Sequence, residues 1–98
     1  MLNIGKKLRE LRTNANLTQS QIAQQFGLTT SAIASYESGA RYPSYDILKK
    51  YSRKFHRTTD YLLGMTKTDT VDISDLSDIQ KNTILQLIQT FEYDNNKN

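Results

Sequence analysis

An all-α fold is what this 98-residue sequence predicts, and three observations carry the reading. Apolar residues recur at helical spacing along most of the chain. Hydroxyl or amide residues stand just ahead of these runs, and glycines stand just behind several of them, as at helix ends. No segment carries the alternation of a half-buried strand.

The first helix is expected to start at Asn3 or Ile4 and run to about Asn14, because Ile4, Leu8 and Leu11 draw one apolar stripe at i, i+4, i+7. Lys6, Lys7, Arg9 and Arg12 fall mostly off that stripe, and Asn14-Ala15-Asn16 ends it. Thr18 opens a second helix, with Gln21 three residues on completing a capping box. Its apolar face is Ile22, Ala23 and Phe26. Gly27 follows, where a left-handed residue is needed to end the helix and turn the chain. Thr29 is placed to cap a third helix, which turns Ile33 and Tyr36 inward beside Leu28 and stops near Ser38-Gly39. The loop from Ala40 to Pro43 leads to Ser44, the cap of a fourth helix with Asp46 in its first turn and Ile47, Leu48, Tyr51 and Phe55 on its buried face. A short fifth helix, Thr59 to Leu63, starts behind Thr58 and ends at Gly64. Residues 67–76 are polar and weakly patterned and read as a linker after a domain spanning 1–66. Ser77 and Gln80 repeat the capping-box spacing ahead of a C-terminal amphipathic helix over 77–93, and residues 94–98 read as a disordered tail.

Composition narrows the function. The chain has no cysteine and one histidine, which excludes disulfides, thiolate metal sites and cysteine nucleophiles and leaves little for any metal centre. Neither a charged-then-apolar leader nor an apolar run near the ~20 residues of a membrane helix is present, so a cytoplasmic location is expected. The net charge of +3 is unevenly spread. Residues 1–67 hold 11 Lys/Arg against 4 Asp/Glu, a balance of +7, and residues 68–98 hold 2 against 6, a balance of −4. A basic globular part joined to an acidic segment points to a polyanionic partner for the former, although solvated surface lysines give the same count. No clustered acid, base and nucleophile, and no phosphate-binding glycine loop, suggests an enzyme, a cofactor or a small-molecule ligand.

The segment Gln19–Ser38, QSQIAQQFGLTTSAIASYES, joins two short amphipathic helices at one glycine, with small Ala23 where their axes cross. This is the helix-turn-helix pattern, whose second helix enters the DNA major groove. With its flanks, LRELR before it and ESGARYPS and TTDYLLG after it, the stretch from Ile4 to Met65 resembles the lambda-repressor-like helix-turn-helix family, Xre type, of phage and bacterial repressors. The resemblance implies a compact five-helix domain, double-stranded DNA as partner, and usually a homodimer.

Candidate DNA contacts follow from the two helix starts, where unpaired amides and a partial positive charge suit a phosphate oxygen. These are Thr18 and Gln19, and Thr29 and Thr30. Capping alone explains Thr18, whereas Gln19 has no such reason to be there. Thr30, Ser31, Ala34 and Ser35 face outward on the third helix with Ala32 at the edge of that face, and these positions match the groove-facing ones of the family. That helix holds no Arg, Lys, Asn or Gln, so bidentate base readout is unavailable from it. Arg41, just beyond, lies in the loop that meets phosphate in the family. Lys6, Lys49, Lys50 and Arg53 are further basic positions that solvation alone can explain, and Tyr42 and Tyr45 have either phosphate contact or packing open to them. By resemblance, Arg12 and Glu37 match an ion pair bridging the first helix to the end of the third.

Ile84, Leu87, Ile88 and Phe91 form a C-terminal stripe too large to leave wet, expected to make a dimer interface rather than fold back on the core. The sequence thus points to a DNA-binding transcriptional regulator, a repressor of a palindromic operator acting as a homodimer. The competing class is an antitoxin or antagonist module whose C-terminal helix binds another protein.

Overall fold

The computed structural model describes residues 4–66 and 70–96. Among these residues it is all-helical, with α1 (Ile4–Asn14), α2 (Gln19–Phe26), α3 (Thr30–Ser38), α4 (Tyr45–Phe55), α5 (Thr59–Leu62) and α6 (Asp78–Asn96). The caps written in the sequence set these limits. Thr18 accepts a hydrogen bond from the Gln21 N–H at 3.0 Å, and the Thr18 N–H donates to Gln21 Oε1 at 2.8 Å. Thr29, Ser44 and Thr58 likewise accept from the backbone N–H groups of Ala32, Ile47 and Tyr61. Gly27 ends α2 with φ 69°, and the Leu28 N–H returns to the Ala23 carbonyl at 2.8 Å. Two non-glycine residues do the same work elsewhere: Asn16 (φ 58°) after α1 and His56 (φ 56°) after α4.

The core is one cluster drawn from five helices. Leu8, Ile22, Ile33, Tyr51 and Leu62 are its fully buried side chains, and Ile4, Ala23, Phe26, Ala32, Tyr36, Ile47 and Leu48 complete it. Leu11, Leu17, Leu28, Phe55, Tyr61 and Leu63 close its margin, half-buried. Tyr51 is the hinge of the aromatic packing, edge-on to Phe26 at 4.9 Å and stacked on Phe55 at 6.2 Å. Its hydroxyl is buried without a hydrogen-bond partner among the described residues, and that burial, with Glu37 and Tyr36 nearby, raises its pKa well above the ordinary tyrosine value. Lys7 donates to the Tyr61 carbonyl at 3.0 Å, and the Arg57 guanidinium lies 3.6 Å from the Tyr61 ring centroid, which clamps α5 to the body.

α1 and α3 approach so closely that only glycine fits at position 5. A Cβ there would lie 2.5 Å from the Glu37 carbonyl oxygen and 2.6 Å from that of Tyr36. Nothing in the local sequence pattern marks this position, because the constraint comes from a helix thirty residues away.

The C-terminal part departs from the expectations in two ways. The described part of the linker is anchored: the Asp72 N–H donates to the His56 carbonyl at 2.8 Å, and Asp72 Oδ1 accepts from both the Ser74 N–H and its hydroxyl. Those two bonds hold the Asp72 carboxyl below its ordinary pKa. Ile73 and Leu76 are half-buried. Helix α6 also runs further than expected, taking in Asp94, Asn95 and Asn96, since no glycine or proline intervenes to stop it. Asn3, residues 67–69 and residues 97–98 lie outside the described residues. The Ser77–Gln80 capping box forms as the spacing predicts. None of the residues of α6 is buried.

Two outcomes follow. Gly5→Ala lowers the unfolding free energy from urea titration by about 1–3 kcal/mol through overpacking, despite alanine's advantage of about 1 kcal/mol as a helix former; an unchanged midpoint would show that α1 can move off α3. Tyr51→Phe removes a hydroxyl that bonds to nothing, so stability at neutral pH holds or rises. In the parent protein the raised Tyr51 pKa means the folded chain keeps a proton that the unfolded chain loses near pH 10. Stability is therefore complete below about pH 10 and declines above it, and the decline is shallower in Tyr51→Phe when denaturation is followed from pH 8 to 11.

Candidate nucleic-acid interface

Arg12 and Glu37 are the junction on which the interface is built. Arg12 Nε donates to Glu37 Oε2 at 2.6 Å and its second terminal nitrogen to Oε1 at 2.9 Å, a two-point pair. The remaining terminal nitrogen donates to the Leu17 carbonyl at 2.8 Å, in the turn before α2. The side chains are 12% and 4% exposed, so the pair sits inside the domain's edge and ties α1, α3 and the entry to α2 together. The hydrogen bonds from Arg12 to Glu37 outweigh its burial and raise its pKa above the usual arginine value.

Glu37 has a third partner. Gln19 Nε2 donates to Glu37 Oε1 at 3.1 Å. The sequence offered no structural reason for Gln19, and the structure supplies one: its amide is held against the C-terminal half of α3. One amide hydrogen is spent on Glu37, which leaves a second hydrogen and the carbonyl oxygen for another partner.

Thr18, Thr29, Thr30, Ser31 and Arg41 are exposed, and Gln19, Ala34 and Ser35 are half-buried. Thr18 and Thr29 use their oxygens to accept from the helix starts, yet each hydroxyl keeps its own proton to donate outward. Capping and phosphate contact are thus compatible at both positions. Ala32 corrects the sequence reading. It is 8% exposed and belongs to the core beside Ile33, so it is not available to DNA. In a helix of nine residues, one position of rotation separates the edge of a face from the interior.

Arg41 is carried by the turn after α3. Gly39 adopts φ 84°, the Arg41 N–H donates to the Ser35 carbonyl at 3.2 Å, and the guanidinium lies 5.6 Å from the Tyr36 ring centroid. A cation at the C-terminal end of a helix also meets its partial negative charge favourably. Tyr42 and Tyr45 are 61% and 67% exposed, so neither belongs to the core, and Lys49 Nζ lies 5.3 Å from the Tyr45 ring centroid. Among the described residues no group of His, Cys, Asp and Glu is placed to hold a metal ion, and no helix is long and apolar enough to cross a membrane. A shallow polar cleft of about 150 Å³ lies away from α3, lined by Ser52, Arg53, His56, Arg57, Thr58, Asp72 and Asp75.

The helix-turn-helix family profile matches residues 8–62. The chain belongs to that family. Among helix-turn-helix relatives, it is 34% identical over 88 residues to the transcriptional regulator ImmR of Bacillus subtilis, covering 90% of this chain and 67% of that protein. It is 39% identical over 82 residues to the transcriptional activator BcrR of Enterococcus faecalis, covering 80% of this chain but only 40% of that protein's length. The crystal structure of the P22 c2 repressor in complex with a synthetic operator superposes with a TM-score of 0.60 at 24% identity, covering 64% of this chain and 96% of that one. The fold is therefore lambda-repressor-like, and the family is one of helix-turn-helix regulators rather than enzymes.

Removing one side of the Arg12–Glu37 pair strands a buried charge. Arg12→Ala lowers stability by about 3–5 kcal/mol in denaturant titrations, and a loss under about 1 kcal/mol, the scale of a surface pair, would contradict its role as the junction.

Proposed function

We propose that this chain is a sequence-specific DNA-binding transcriptional regulator, a repressor that binds a palindromic operator as a homodimer and excludes polymerase by occupying the promoter. The observation that carries the reading is the pairing of two capped helix starts with an outward polar face: Thr18–Gln19 at α2, and Thr29, Thr30 and Ser31 at α3. Helix N-termini offer backbone N–H groups and partial positive charge to phosphate oxygens. Arg41 adds a formal charge beyond α3, and the +7 balance of residues 1–67 supplies the general attraction.

Specificity on this reading comes without long polar side chains. Thr30, Ser31, Ala34 and Ser35 are short, so α3 lies deep in the groove and reads thymine methyl groups, ordered water and groove shape. Gln19, Thr18 and Arg41 fix the register on the backbone and carry little sequence information.

The homodimer is supported by α6. Leu87, Ile88 and Phe91 are 53%, 46% and 57% exposed, and beside half-buried Ile84 they make an apolar face that the described residues leave uncovered. The same exposed face keeps the antagonist reading in play, with another protein as its cover.

Selection of bound sites from random duplexes at a stated salt concentration tests the proposal. The expected product is a palindrome with half-sites about 10–10.5 base pairs apart, centre to centre, and replacing its thymines by uracil weakens binding. Absence of any enriched sequence would overturn the regulator reading, and a single unrepeated half-site would overturn the homodimer. A heterologous protein that seals α6 and displaces the DNA would favour the antagonist reading.

A further inference from the structure

We infer that α6 pairs with a second copy of itself in antiparallel orientation and acts as the spacer that separates the two DNA-binding domains. The inference rests on the homodimer proposed above and adds its geometry.

The first support is length. Nineteen residues of helix span about 28 Å at 1.5 Å per residue. The apolar face reads the same from either end, because Ile84, Leu87, Ile88 and Phe91 are spaced symmetrically about a point between Leu87 and Ile88. An antiparallel partner centred on that point sets Ile84 level with the partner's Phe91. It also places the two α6 starts at Asp78 roughly 28 Å apart along the helix axis. Two recognition helices on successive major-groove turns need about 34–36 Å. A parallel pair would put the two starts only about 10 Å apart, the distance between packed helix axes.

The second support is the anchored linker. With the Asp72 N–H bonded to the His56 carbonyl, and with Ile73 and Leu76 half-buried, only a short segment separates the body of the domain from the Ser77 cap of α6. A separation imposed on the α6 starts is therefore passed to the domains rather than absorbed by slack chain.

The third support is charge. Lys81 is the one cation among the described residues of α6, and Glu92 stands eleven residues later, three turns on and on the same flank. In a two-fold antiparallel pair, same-flank positions at opposite heights meet, which brings Lys81 to the partner's Glu92 twice. A parallel pair sets Lys81 level with Lys81 and Glu92 level with Glu92.

The chain contains no cysteine, so single-cysteine spin labels report cleanly. Ile79→Cys and Gln89→Cys place labels near the start and near the centre of α6, off the apolar face, and pulsed dipolar spectroscopy reads the distance between copies. The antiparallel pair predicts an Ile79 distance about 10 Å longer than the Gln89 distance, from the axial offset of the two sites. Equal distances at both sites in a dimer would overturn the inference and leave the homodimer standing. Absence of any dipolar signal from either variant, with scattering that gives a monomer at the same concentration, would overturn the homodimer and this inference with it.

Discussion

The two-point bond between Arg12 and Glu37 is the constraint on which the rest of this structure depends. It joins α1 to the end of α3, reaches through the Leu17 carbonyl to the entry of α2, and gives Gln19 a fixed partner. A domain this small has few buried side chains with which to hold a helix at a set angle. Hydrocarbon packing brings α2 and α3 together through Ile22, Ala23 and Ile33, yet it tolerates small rotations. A buried two-point ion pair does not, because any rotation leaves a desolvated charge unpaired. The orientation of α3 thus follows from a bond made at its own C-terminal end, by Glu37.

The surface positioned in this way is economical in charge. Thr18 and Thr29 close their helices and still keep a proton to donate, so on the proposed reading the residues that define the fold also face the phosphate backbone. Formal charge comes from the flank, at Arg41, set by the turn at Gly39 and the Tyr36 ring. With short side chains on α3, the proposed discrimination between sequences rests on close approach and groove shape rather than on bidentate bonds. Such an interface is sensitive to the exact height of α3 over the groove. That gives physical sense to the close contact at Gly5, where backbone meets backbone.

Much of this was legible in the sequence, and the reasons are local. The capping residues Thr18, Thr29, Ser44, Thr58 and Ser77 act within three residues of themselves, so their chemistry can be read from spacing alone. The left-handed turn at Gly27 is equally local. What escaped the sequence was long-range. Gly5 reads as an ordinary helical glycine until α3 is laid across it. Gln19 had no visible structural role because its partner lies eighteen residues on. Ala32 was placed on the edge of the outward face, and the structure puts it inside, since alanine suits either environment and its type decides nothing. The bond from Asp72 to His56 joins backbone groups, so it left no trace in the side-chain pattern of residues 70–76. Asp94 to Asn96 were read as frayed from their polarity, although polarity alone does not stop a helix.

The central claim is that the capped starts of α2 and α3, held by the Arg12–Glu37 bond, form one DNA-facing surface. Backbone amide shifts recorded as a duplex of arbitrary sequence is added at low salt test it most directly, because non-specific phosphate contact suffices to report the surface. The account predicts that the amides of Thr18, Gln19, Thr29, Thr30, Ser31 and Arg41 move first and furthest, while those around His56 and Asp72 stay still. Shifts concentrated on the His56–Asp72 side, or none at any protein-to-duplex ratio, would contradict it.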